Sequence, residues 1–289
     1  MAASNKRIED GSMTIELSLL TDEVSPVLAD GLRMAAEEGL RKVDVRSIGG
    51  VNFMSLDESQ QRAAAKEIRD AGLRVGTLAT PLLKWPAPGF AAADMGDQFG
   101  FDTKGRTPGQ LFEDAFRAAE ILGARDLRVF SLLEHDEFRL AELDADYEAL
   151  TRLAERHDAT IHIENEHVCN LHIVSDLIAA MHRWRHPRLK ALLDIPNAWR
   201  RERPSESDIE AIAPHVEQIH FKDWSEARGR MVALGEGDIP FRAMLRPFYD
   251  AARIRDLTFV VETHVPTEPA AATLRSVRAL HALARPSPA

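Results

Sequence analysis

The chain has 289 residues, 45% of them hydrophobic and 28% charged, with a formal net charge of −10. These proportions are ordinary for a packed globular protein, while the acidic excess argues against a nucleic-acid partner, which needs a concentrated basic surface. A single cysteine, Cys169, excludes an intrachain disulfide and fits a reducing compartment, and no apolar run approaches the ~20 residues that cross a bilayer.

The first segment, residues 1–13, has no apolar signal core and reads as a disordered lead-in. A cytoplasmic protein without a membrane partner is expected. Short β-branched runs then alternate with Ala/Leu/Glu/Arg-rich segments, the rhythm of parallel strands joined by crossover helices. Strand one is placed at Thr14–Leu20, and its helix begins after Ser25, with Pro26 in the first turn, and stops at Gly39. Strand two is Lys42–Arg46, followed by a helix opening on a capping box of Ser55 and Glu58 and closing at Gly72. Strand three, Leu73–Ala79, leads into a Gly- and Pro-rich loop from Thr80 to about Arg106. Loops of that length in compact domains usually cover a site or are disordered.

The helix Pro108–Leu122 ends at Gly123, and strand four is Asp126–Phe130 with a helix over Phe138–His157. Strand five is Thr160–Glu164 with a helix at Ser175–Trp184, and strand six is Leu189–Asp194 with a helix at Ser205–Ile212. Strand seven is Gln218–Lys222 with a helix at Phe241–Ala252, and strand eight is Thr258–Glu262 with a helix at Pro269–Ala284. Residues 286–289 read as a frayed tail. Eight strand–helix units without a linker make residues 14–285 one α/β domain, a (β/α)8 barrel, for which ~250 residues is typical. A doubly wound sheet would carry a Gly-rich turn after strand one, where this chain has TDEVSP.

The active site of such a barrel lies at the carboxyl ends of its strands. Strands five to eight end in IHIENEH, LLDIPN, IHFKDW and VVETH, which puts Glu164, Asp194, His220 and Glu262 on one rim. Three carboxylates packed together raise one another's pKa values unless a cation lies between them. Three oxygens and one imidazole nitrogen suit one divalent ion, Mn2+ first, with Mg2+, Co2+ or Zn2+ as alternatives. Taken singly, each residue has a blander explanation: a helix cap, a loop ion pair or a satisfied core histidine.

TDEVS at Thr21–Ser25, VDVRS at Val43–Ser47, TPLLK at Thr80–Lys84, ENEH at Glu164–His167, LLDIPN at Leu192–Asn197, HFKD at His220–Asp223, GEGDIPF at Gly235–Phe241 and VET at Val261–Thr263 occur in order. In these motifs, from about Leu17 to Leu283, the chain resembles the sugar phosphate isomerase/epimerase group of xylose isomerase-like TIM barrels. The resemblance implies Glu164, Asp194, His220 and Glu262 as metal ligands, with Glu164 and Glu262 doubling as the catalytic acid/base pair. It implies a carbohydrate isomerase or epimerase acting by proton abstraction next to a carbonyl through an enediolate.

Lys222 shares the strand parity of His220, and it or Arg46 is expected to contact substrate oxygens; the alternative is an ion pair with Asp44 or Asp223. Asn197, His167 and Lys84 complete the expected substrate contacts, and Glu23 and His264 are further candidates for the mouth. Glu166 is the rival of Glu164. Trp85, Trp199 and Trp224 are placed on loops beyond strand ends, where aromatic faces suit sugar stacking. Asn197 stands where several relatives carry His, Ser131 where some do, and the segment after ENEH lacks their Gly-rich turn. Rival readings are a metal-dependent lyase on oxidised sugars or glycosides (C-glycoside deglycosidase-like or inosose dehydratase-like) and a non-catalytic sugar-binding barrel. A homodimer or homotetramer is expected, with the apolar rim of the strand-three loop available for pairing.

Overall fold

The computed structural model describes residues 15–92, 94–249 and 256–284. The expected lead-in and tail, both ends of the expected barrel span, and residues 250–252 of the seventh helix lie outside them. Eight parallel strands alternate with helices in chain order: β1 (Ile15–Leu19), α1 (Leu28–Glu37), β2 (Lys42–Val45), α2 (Glu58–Asp70), β3 (Arg74–Ala79), α3 (Pro108–Leu122), β4 (Asp126–Val129), α4 (Asp144–Arg156), β5 (Thr160–Glu164), α5 (Val174–Arg183), β6 (Leu189–Asp194), α6 (Glu206–Ile212), β7 (Val216–Phe221), α7 (Phe241–Met244), β8 (Leu257–Val261) and α8 (Pro269–Leu283). The strands pair in the order β1-β8-β7-β6-β5-β4-β3-β2, and a parallel bridge between Leu20 and Asp44 joins the two ends. The sheet is therefore a (β/α)8 barrel.

Local chemistry accounts for most boundaries. Thr107 and Gln110 form a capping box at the start of α3, and Gly123, at φ +78°, ends it. The capping box of α2 is Asp57 with Gln60, not Ser55 with Glu58. Ser55 lies in a preceding 3-10 turn, and its hydroxyl accepts from the Asp102 amide at 2.9 Å. The helix expected over Phe241–Ala252 is one turn, Phe241–Met244, followed by a 3-10 turn at Arg246–Phe248; Pro247 has no amide hydrogen to continue it. A 3-10 turn at Leu140–Leu143 precedes α4, within the span expected to be one helix. A one-turn helix at Ile195–Trp199 and two hairpins, Ser47–Ile48 with Val51–Asn52 and Asp223–Ser225 with Arg230–Val232, are not expected from the strand–helix alternation.

The barrel interior is unusually polar. Branched aliphatic side chains normally fill such layers, but strand parity here directs Lys42, Asp44 and Arg46 from one strand, and Gln218, His220 and Lys222 from another, to one side. Near the bottom, Lys42 donates to Thr258 at 2.6 Å. In the middle, the Asp44 carboxylate accepts from Ser18 Oγ (2.9 Å), the Thr77 amide (3.1 Å) and Gln218 Nε2 (2.8 Å). Gly76 makes room for this layer: a Cβ there would lie 2.1 Å from Lys42 Cε and 2.5 Å from Asp44 Oδ1.

The loop between β3 and α3 crosses the upper rim. Its Gly100 takes φ +68°, and a Cβ there would stand 2.0 Å from the Gly50 carbonyl oxygen; that close approach lets the Asn52 amide donate to the Gly100 carbonyl at 3.3 Å. Phe99 then lies with its ring centre 3.6 Å from the Arg46 guanidinium carbon. Phe90 and Met95 on the same loop are 48% and 43% exposed, consistent with the apolar rim read from the sequence. Among the described residues, no helix is long and apolar enough to cross a membrane.

Candidate functional site

Glu164 and Asp194 are the last residues of β5 and β6, His220 is the penultimate residue of β7, and Glu262 directly follows β8. The barrel's stagger brings their ligand atoms within 4.8 Å of one another, and none of the four side chains is more than 2% exposed. His220 Nδ1 stands 3.2 Å from Glu164 Oε1 and 3.3 Å from Glu262 Oε2. Neither approach is aligned as a hydrogen bond, and Glu164 Oε2 is also without one. Buried polar atoms without partners are costly. Nitrogen and oxygen atoms converging on one point are the donor set that a hard or borderline divalent ion takes. The four residues therefore fit a single divalent cation.

Further contacts hold each of the four side chains in place. Asp194 caps the one-turn helix that follows it by accepting from the Asn197 amide at 2.8 Å, and its other oxygen is bonded to Lys222. Lys222, 0% exposed, also donates to Glu262 at 2.6 Å. Arg128 approaches Glu164 at 3.1 Å and Glu262 at 3.8 Å. Arg46 donates to Glu262 at 2.8 Å, to Glu23 at 2.6 Å and to Asp22 at 2.9 Å. Asn165 ties the strand ends together, accepting from the Asp194 amide and donating to the Asp194 carbonyl, each at 2.8 Å.

Formal charge supports the same stoichiometry. Among the described residues, Asp22, Glu23, Glu164, Asp194 and Glu262 are five carboxylates meeting three fixed cations, Arg46, Arg128 and Lys222. With the imidazole neutral, the cluster carries −2, which one divalent ion cancels. Without such an ion the protons redistribute. Burial disfavours a charged His220, but the Glu164 and Glu262 carboxylates outweigh it and lift the imidazole to about 10. Burial lifts Asp194 to about 6 despite Lys222. Glu262 is held well below the usual carboxylate range, because Lys222 and the neighbouring histidines overcome its burial.

A profile of the xylose isomerase-like TIM barrel family matches residues 32–283. The chain belongs to this family. No protein with a curated description matches the sequence. Among solved structures, this xylose isomerase-like barrel is similar to a probable 3-DHS dehydratase, AsbF, from Bacillus anthracis, at 16% identity and TM-score 0.67 over 92% of this chain and 98% of that one. It is also similar to the IOLI protein with a bound zinc atom, at 12% identity and TM-score 0.71 over 93% and 98%. A third is 3-keto-D-glucoside 4-epimerase, YcjR, from E. coli, at 13% identity and TM-score 0.62 over 92% and 99%. At such identities the likeness establishes the fold.

The substrate contacts expected from the sequence divide into two groups. Arg46 and Lys222 join the quartet, paired with its carboxylates rather than with Asp44 or Asp223, as the alternative had it. Asp223 instead accepts from the backbone amides of Trp224, Gly235, Gly237 and Ile239. Lys84, His167 and Asn197 gather around Glu166: Lys84 Nζ is 3.7 Å away, His167 Nδ1 2.5 Å, and Asn197 Nδ2 3.4 Å. Glu166 thus lies outside the quartet that its rival Glu164 joins. His167 lines a cavity of about 360 Å3 with Glu134, Arg200 and Arg201. A second cavity, of about 420 Å3, is lined by Glu23, Arg46, Phe99 and His264.

Of the tryptophans, Trp199 closes the one-turn helix and Trp224 lies in a hairpin strand, so neither is on a free loop. Arg203 and Arg200 stack on their faces at 4.9 and 5.0 Å. Arg128 and Asn165 are not among the residues expected at the site. Arg128 had a legible signal: a guanidinium at inward parity in an apolar strand, DLRVF, must find carboxylates or pay a heavy desolvation cost.

Proposed function

We propose that this protein is a divalent-metal-dependent carbohydrate isomerase or epimerase that abstracts a proton next to a carbonyl. The observation carrying the proposal is the convergence of Glu164, Asp194, His220 and Glu262 within 4.8 Å at the carboxyl ends of consecutive strands. Similar folds described as an epimerase and as a zinc-bound protein support it. These four residues would hold the ion, with Mn2+ the first candidate. A divalent ion there supplies Lewis acidity, polarising a ketose carbonyl and acidifying the adjacent C–H.

The side chains then divide the remaining work. Glu164 and Glu262 face the same point from different strands, and either can take the proton as general base. A carboxylate on the face that lost the proton returns it for isomerisation, and one on the opposite face inverts the centre for epimerisation. Lys222 and Arg46 keep Glu262 ionised and oriented, and Arg128 does the same for Glu164. The quartet is almost fully buried, and Phe99 of the β3–α3 loop covers the neighbouring Arg46, which limits the water that can compete for the enediolate.

The test is solvent deuterium incorporation into a panel of ketoses by the Mn2+-loaded protein. Exchange at the carbon next to the carbonyl, abolished by EDTA and restored by Mn2+, is the expected result. Exchange accompanied by loss of a hydroxyl or glycosyl group would move the reading to a lyase, which shares the first step; one similar fold is described as a probable dehydratase. Absence of stoichiometric metal, with no exchange, would favour a sugar-binding barrel.

A further inference from the structure

The Glu262 carboxylate faces two ways. Its Oε2 accepts from Lys222 at 2.6 Å and lies 3.3 Å from His220 Nδ1, on the quartet side. Its Oε1 accepts from Arg46 Nη1 at 2.8 Å and lies 3.4 Å from His264 Nε2, on the side toward β1. On that second side Glu23, Glu262 and His264 also bring ligand atoms within 4.8 Å of one another. One carboxylate shared by two such groups is the arrangement of two-metal centres, whose ions lie ~3.5–4 Å apart.

Here the second position already has a cation. The Arg46 guanidinium is bonded to Glu23 at 2.6 Å, to Glu262 at 2.8 Å and to Asp22 at 2.9 Å, so each of its three nitrogens meets a different carboxylate. Nη1 also lies 3.3 Å from His264 Nε2. Phe99 covers the group with its ring centre 3.6 Å away, and Arg46 is 2% exposed. A guanidinium matches carboxylates through a rigid planar fork and keeps its charge at any physiological pH.

We infer that Arg46 is a built-in substitute for a second metal ion: a positioning residue that locks Glu262 from the side opposite Lys222 and restricts the protein to one exchangeable cation. With one divalent ion in the quartet the cluster is neutral. Removing Arg46 would leave it at −1 and free the donors of Glu23, Glu262 and His264 beside the 420 Å3 cavity that Arg46 now lines. A second divalent ion would then be drawn to that place. This inference rests on the reading of the quartet as a one-ion site.

The experiment compares full-length wild type, Arg46→Lys and Arg46→Ala, each stripped with EDTA, reloaded with Mn2+ and freed of excess. Metal per chain is counted by mass spectrometry, and spin coupling is read by electron paramagnetic resonance. We expect one ion in wild type, one in Arg46→Lys because the ammonium keeps the charge, and two with a coupled signal in Arg46→Ala. Adding Glu23→Gln to Arg46→Ala should return the count to one. A purely structural role for Arg46 would raise no count. One ion in both wild type and Arg46→Ala overturns the inference and leaves the proposed function standing; none in wild type overturns both. If Arg46→Ala does not fold, Arg46→Met takes its place. If that variant also fails, Arg46→Gln, which keeps a hydrogen-bonding amide without the charge, is loaded in its place: two coupled ions uphold the inference, and a single ion overturns it.

Discussion

Lys222→Met takes the cation from between Asp194 and Glu262 and keeps an unbranched chain of similar length. Lys222 is 0% exposed, is bonded to Asp194, and lies 2.6 Å from Glu262. Removing one partner of a buried ion pair costs ~3–5 kcal/mol, because the other charge is left uncompensated. At ~2–4 °C per kcal/mol for a chain of this order, the metal-free variant should melt ~6–20 °C below metal-free wild type. The same change takes the formal charge of the cluster from −2 to −3, so Mn2+ should bind the variant more tightly. A tenfold gain in affinity is worth ~1.4 kcal/mol, and by mass action it would return ~3–6 °C of the loss. Differential scanning calorimetry of EDTA-treated and Mn2+-saturated samples of both proteins reads the two effects separately. A metal-free variant melting within ~2 °C of wild type would refute the ion-pair energetics. A Mn2+ shift no larger than that of wild type would refute the charge balance.

Four further outcomes are expected. Glu262→Gln should lower deuterium exchange by ~10²–10⁴-fold, the usual contribution of a general base, with circular dichroism unchanged; wild-type exchange would remove Glu262 from the mechanism. Metal uptake should release protons at neutral pH, because His220 is lifted from 6.5 to about 10 in the metal-free cluster and must bind the ion as neutral imidazole. Affinity should therefore rise with pH up to about 10, read by calorimetry in buffers of different ionisation enthalpy. The raised pKa also gives the metal-free protein stability that is present below pH 6.5 and lost as pH rises through about 10. Finally, Cys169 is buried, and its burial pushes the thiol well above its ordinary value. It should resist iodoacetamide in the native protein and react only on unfolding; rapid native labelling would contradict the packing around it.

How much was legible in the sequence follows from how local each determinant is. Period-two alternation and helix caps are properties of a few neighbouring residues. Thr160–Glu164, Leu189–Asp194 and Pro108–Leu122 are accordingly observed with the bounds read from sequence. The four candidate ligands were legible for the same reason: each is a polar residue closing an apolar strand. The errors fall where two local signals compete or where distant chain intervenes. Ser55 and Asp57 both suit a helix cap, and the long loop's Asp102 claims Ser55.

What the sequence by itself determined is the number and phase of the strands, and with them which side chains face the barrel axis. Tertiary structure alone decided which of those inward groups meet, because that depends on the stagger of all eight strands around a closed sheet. Only that stagger pairs Arg128 with Glu164, wedges Lys222 between Asp194 and Glu262, and sets Arg46 among Asp22, Glu23 and Glu262. Arg46 and Glu262 are 216 positions apart, and no local pattern specifies a contact at that separation.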